Sequence, residues 1–163
     1  MTDLPLHPAI VHVPLGLAVV MPLVAAALTW AIWRGKLPRG AFAIVAGLQL
    51  VLSSAGFVAM DLGHDDAKKA ETVAPRHAIE QHEEAAETLV WVSVGMLALS
   101  LATLFVPRSK APLLAAVATA GTLAVTALAL DAGMKGGELV FRYGAGAVTT
   151  QSTAPAAERA KGE

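Results

Sequence analysis

Histidine is the residue type in this chain that is best suited to chemistry. Neutral imidazole binds heme iron, copper and zinc, and an ionisable group close to hydrocarbon is usually kept for a specific partner. Cysteine is absent, which excludes thiolate ligands and thiolate catalysis. The chain contains five histidines: His7, His12, His64, His77 and His82. This composition favours a histidine-ligated heme or metal.

Three of these imidazoles are expected at one depth if their helices rise by about 1.5 Å per residue. Counted from the inner helix ends, His12 lies roughly 31 Å up, His82 roughly 35 Å and His64 roughly 36 Å. His12 also lies within an apolar run. The sequence therefore predicts that His12 and His82 clamp a heme from two helices.

Small and acidic neighbours complete the predicted site. Gly16, one turn below His12, is expected to make room for the porphyrin. Asp131, Asp61 or Glu83 is expected to accept the second ring proton and so fix the tautomer of a ligand. His7 and His77 would form a second layer farther out, as substitute ligands or as partners of the first pair.

The elements that must position these residues are transmembrane helices. Of the 163 residues, 55% are hydrophobic and only 15% are charged, which exceeds the usual globular mix. Four apolar segments lie at about residues 8–33, 41–60, 89–106 and 113–130, each near the ~20 residues that cross a bilayer. The sequence predicts an all-α, four-helix transmembrane bundle. Net charge is −1 with scattered basic residues, so no nucleic-acid partner is expected.

Charge predicts the orientation of the bundle. The connections 34–39 and 107–110 are basic and contain no acid, whereas the acidic residues lie towards the other end. The positive-inside rule then places both termini outside, in a bacterial cytoplasmic (inner) membrane. Residues 1–148 are predicted to form the membrane domain, with a Gly-rich turn segment at 136–146 packed over the bundle. Residues 149–163 are predicted to be a polar disordered tail.

The opening segment LHPAIVHVPL, residues 6–15, resembles the start of the DUF2231 family of bacterial predicted membrane proteins, which begin with HPxxVHxP. His82-Glu83 and the segment GGELVFRYGAG at 136–146 extend the resemblance over about residues 4–148. It implies a four-helix membrane domain. Because relatives are sometimes fused to Rieske-type or cytochrome c modules, it also implies a redox setting. The motifs carry over to His7, His12 and His82.

Three functions remain open from sequence. The first is a b-type cytochrome domain with heme b held by His12 and His82, passing electrons to a redox partner protein at the outer face. The second is a copper or zinc site for sensing or metal handling, formed by imidazoles. Its ligands would be His7, His12, His77 and His82. The third is a structural subunit of a membrane complex, and a homo-oligomer is also compatible with the small residues on the helices.

Overall fold

The computed structural model describes residues 6–151, and within them it contains helices joined by short turns. Four of the helices are long and apolar enough to cross a membrane, which confirms the predicted all-α, four-helix class. The elements in chain order are α1 (Leu6–Ile10), α2 (His12–Trp33), a 3₁₀ helix (Arg39–Phe42), α3 (Ala43–Ala70), α4 (Arg76–Phe105), α5 (Ala111–Phe141) and α6 (Ala145–Gln151).

At the outer side of the bundle, three helices continue well past the apolar stretches from which they were predicted. α3 ends at Ala70 rather than near residue 60, α4 begins at Arg76 rather than near 89, and α5 ends at Phe141 rather than near 130. Ion pairs one turn apart support these polar extensions. They join Lys68 to Asp65, Lys69 to Asp66, Arg76 to Glu80, Lys135 to Asp131 and Arg142 to Glu138. Hydropathy marks where the apolar belt stops, and these helices do not stop there.

The Gly-rich segment after the fourth helix is also corrected. Gly136 and Gly137 lie inside α5, and the chain turns only at Gly144, whose φ of 75° is the left-handed conformation that glycine adopts readily. The side chain of Leu139 is buried in an apolar cluster, which holds this part of α5 helical. Residues 149–151, the first of the predicted tail, belong to α6. Residues 152–163 lie outside the described residues.

The first apolar segment is divided at Val11, which separates α1 from α2. Pro14 lies in the first turn of α2, where the missing N–H costs no helical hydrogen bond. The break therefore falls just before the proline. Gly35, with a φ of 67°, ends α2 and lets the Lys36 N–H bond back to the Ala31 carbonyl at 2.8 Å.

Two apolar clusters hold the bundle. The membrane core combines alanines, which let the long helices approach closely, with larger apolar side chains; its buried members include Ala18, Met21, Ala25, Phe42, Val45, Leu52, Leu89, Ala118, Val125 and Ala129. The outer cluster joins the extended ends of α3, α4 and α5 to α6; its buried members are Ala70, Ala74, Ala78, Ile79, Leu139 and Ala145. The two basic loops lie at the end of the bundle opposite the outer cluster.

Side-chain hydrogen bonds to backbone carbonyls tie the transmembrane helices together. The amide of buried Gln49 on α3 donates to the Ser93 carbonyl on α4 at 3.0 Å. The hydroxyl of Thr126 on α5 donates to the Ala18 carbonyl on α2 at 2.6 Å. Without water, such bonds add to packing in joining helices. They fix α3 against α4 and α5 against α2.

Candidate imidazole site

The imidazole of His82 is fixed against α5. Its Nδ1 lies 3.1 Å from the carbonyl oxygen of Ala132. A carbonyl oxygen only accepts, so Nδ1 carries the proton and donates. In the neutral ring the other nitrogen, Nε2, then has a lone pair, which is the form that binds a metal ion.

The imidazole of His7 makes the same arrangement with α3. Its Nδ1 donates to the carbonyl oxygen of Ala59 at 2.8 Å. Both rings are half-buried, and in both the backbone rather than a carboxylate selects the tautomer. A metal-binding histidine usually donates its second ring proton in this way, which orients the ring and raises the basicity of the ligating nitrogen.

A glycine one turn beyond each carbonyl lets the ring approach the helix. A Cβ built on Gly63 would lie 3.2 Å from Cε1 of His7, and one on Gly136 would lie 3.0 Å from Cε1 of His82. Both distances are shorter than ordinary van der Waals contact. Because neither glycine has a side chain, each ring can lie directly on the helix backbone. The alanine carbonyl, which already accepts the helical hydrogen bond, can then accept a second hydrogen bond from the imidazole.

The two arrangements repeat one another between the halves of the chain. In the first half, His7 on α1 bonds to an alanine carbonyl on α3, and in the second half, His82 on α4 bonds to an alanine carbonyl on α5; each ring packs on the glycine four residues after that alanine. The alanine follows its histidine by 52 positions in the first half and by 50 in the second. The two halves of the chain therefore hold a histidine ring in the same way.

The structure brings the two rings into one layer. His7 lies against α3, and His82, on α4, lies against α5. On α3, α4 and α5 their contacts fall between the membrane core and the outer cluster. We call His7, His82 and the residues that hold them, Ala59, Gly63, Ala132 and Gly136, the imidazole layer.

The charged neighbours play a different part from the one predicted. Asp131 was expected to accept a ring proton, but its carboxylate pairs with Lys135 at 2.7 Å. Lys135 also interacts electrostatically with His82. Asp61 and Glu83 are exposed beside a cleft between the outer ends of α3 and α4. The carbonyl oxygens of Ala59 and Ala132 orient the two rings instead, because the nearby glycines leave these oxygens accessible.

The other predicted site residues lie elsewhere on the bundle. His12 begins α2 and is exposed, and Gly16 below it is exposed with open space where a Cβ would be. His77 is exposed in the first turn of α4. Over residues 6–151, no three His, Asp or Glu side chains converge as metal ligands, so the predicted set of imidazoles for copper or zinc is not assembled there.

The residues that sequence reasoning missed are the two acceptor alanines and the two glycines. The sequence feature that could have revealed them is the spacing Ala59-x-x-x-Gly63, which recurs as Ala132-x-x-x-Gly136. The first lies in the outer part of α3 and the second in the outer part of α5. Read alone, such a spacing indicates only close helix packing. Its recurrence opposite a histidine in both halves is what distinguishes it.

Comparison of the chain with protein-family models, with curated proteins and with solved structures finds no match. The resemblance to DUF2231 stays a prediction from the sequence motifs.

Proposed function

We propose that this protein is an integral membrane electron-transfer domain that binds a b-type heme through His7 and His82. The observation that carries the proposal is the pair of half-buried imidazoles at the level between the membrane core and the outer cluster, each with its Nδ1–H held by a helix carbonyl. This proposal keeps the heme predicted from sequence and replaces His12 by His7 as the partner of His82.

The number of imidazoles in the layer favours heme over copper or zinc. A porphyrin supplies four nitrogen ligands itself, and a b-type site needs only two axial side chains from the protein. Zinc and copper sites generally take three or four protein ligands. The pair His7 and His82, with lone pairs on Nε2, provides the donor set that axial ligation requires.

The residues of the imidazole layer would orient the ligands and tune them. The bonds to Ala59 and Ala132 keep each ring from rotating and increase electron donation from Nε2. The outer cluster above and the membrane core below shield the layer from water. When bound, heme supplies one-electron chemistry, and its potential depends on the axial ligands and on burial.

The proposed location is the outer side of a bacterial cytoplasmic membrane. The basic loops at the opposite end of the bundle support this orientation through the positive-inside rule. Near the outer surface, a heme would exchange electrons with a redox partner outside the membrane. The resemblance to DUF2231, with its fused redox modules, is consistent with this setting.

Heme content of matched alanine variants tests the proposal. We expect the purified wild-type protein to show a Soret band and sharp reduced α and β bands. We expect His7→Ala and His82→Ala to lose heme or to change its spectrum strongly, and His12→Ala to retain it. Helical circular dichroism reports whether each variant is folded. A folded wild-type protein that binds no added hemin would refute the proposal.

A further inference from the structure

The end of the bundle opposite the imidazole layer carries only positive charge. No Asp or Glu occurs in residues 4–60 or in residues 88–130, which include both loops at this end. Five basic residues lie there, and all but the half-buried Arg39 are exposed: Arg34, Lys36, Arg39, Arg108 and Lys110. At the other end each described Lys and Arg is paired with a carboxylate one turn away. Within residues 6–151, no ion pair with a carboxylate neutralises the positive charge of this end.

The two loops form one surface. The guanidinium of Arg39, after the first loop, donates to the carbonyl of Val106 at the start of the second. This bond joins the loop between α2 and α3 to the loop between α4 and α5. Because the loops are joined, their exposed charges can act on the same ligand. We call the five basic residues the basic end.

Helix termini add to the positive potential of the basic end. α5 begins here, and no side chain caps its N-terminus. Neither α3 nor α5 has an acidic residue in its first turn. The positive end of a helix dipole favours an anion, so these termini act in the same direction as the basic side chains.

Exposed aromatic side chains surround the basic end, as is typical of a membrane interface. Trp30, Trp33 and Phe105 are exposed around it, with Trp33 74% and Phe105 81% exposed. The ammonium of Lys36 lies 4.6 Å from the centre of the Trp30 ring. Tryptophan is enriched at the level of lipid headgroups, with the apolar part of the ring towards the acyl chains.

We propose that the basic end binds the headgroups of anionic phospholipids in the leaflet that surrounds it. The phosphate would meet the exposed Arg and Lys side chains, while the acyl chains pack beside the exposed aromatic rings. Charge complementarity and the aromatic girdle both favour a lipid over a soluble anion. This inference is independent of the proposed heme, because it concerns the opposite end of the bundle.

Binding of phosphatidylglycerol to the full-length protein in phosphatidylcholine-containing micelles tests this proposal. Each basic residue near an anionic surface contributes about fivefold in affinity. The double variant Arg108→Gln/Lys110→Gln should therefore bind phosphatidylglycerol roughly 25-fold more weakly. The matched control Lys68→Gln/Lys69→Gln, which removes two charges from the other end, should change the affinity less than twofold.

Three results would overturn the proposal. They are an unchanged affinity in the double variant, an equal loss in the control, and displacement of phosphatidylglycerol by inorganic phosphate at equal concentration. The last result would identify a site for a free anion. Circular dichroism of both variants establishes that they are folded before binding is compared.

Discussion

Adding one methyl group at Gly136 should loosen the ring of His82. The new Cβ would lie 3.0 Å from Cε1 of His82, so ordinary contact requires the ring to move by about 0.4 Å. The hydrogen bond from Nδ1 to the Ala132 carbonyl is already 3.1 Å long, and this shift would bring it close to breaking. Loss of such a bond costs about 0.5–1.5 kcal/mol.

The neighbouring glycine provides the control for this prediction. A Cβ on Gly137 would meet no atom within 4 Å, and both glycines lie inside α5. In either position alanine gains about 0.5–1 kcal/mol of helix propensity. Gly137→Ala should therefore stabilise the protein, and Gly136→Ala should be about 1 kcal/mol less stable than Gly137→Ala.

Reversible chemical unfolding in detergent, followed by circular dichroism, measures this difference. Equal unfolding free energies for Gly136→Ala and Gly137→Ala would refute the argument that glycine is needed for the ring to reach the carbonyl. In heme-loaded protein the same comparison should show a changed spectrum for Gly136→Ala only.

Three further predictions concern packing, helix association and orientation. Phe42→Ala should lower the free energy of unfolding by about 3–5 kcal/mol, because this ring is fully buried in the membrane core. A loss below about 1 kcal/mol in chemical unfolding would contradict that packing. Thr126→Val should lower the free energy of unfolding by about 0.5–1.5 kcal/mol in the same assay, because it removes the hydrogen bond to the Ala18 carbonyl. An unchanged free energy of unfolding would show that this hydrogen bond does not contribute to stability. The orientation can be tested with single cysteines, because the chain has no native cysteine. An impermeant thiol reagent applied to intact cells should label Glu71→Cys and leave Ser109→Cys unlabelled. The reverse pattern would contradict the proposed topology.

The fold was predictable because the signal is compositional. Four apolar stretches bounded by charge admit few arrangements in a bilayer, where every backbone polar group must be satisfied within the protein. The helix ends were not predictable from hydropathy. The sequence from Asp61 to Ala70 is polar, and its helix depends on local ion pairs and on burial of Ala70 in the outer cluster.

The candidate site was predictable in part. Helix rise alone predicted His82 at the outer end of the apolar belt, and in the structure His82 lies along α4 between the outer cluster and the membrane core. Rise does not give the direction in which a side chain points around the helix axis, and residues five positions apart, such as His7 and His12, point to different sides of a helix. The contact between His7 and Gly63 depends on how α1 packs against α3, and the hydrophobic periodicity of the sequence does not predict that packing.

The reduction potential of the heme-loaded protein in three methionine variants tests the central claim most directly. Replacing an axial histidine by methionine keeps a ligand for iron and raises the potential. The account predicts an upward shift for His7→Met and for His82→Met, and none for His12→Met, because His12 lies on the exposed surface of α2. A shift in His12→Met with no shift in His7→Met would contradict the assignment of His7 and restore His12 as the ligand.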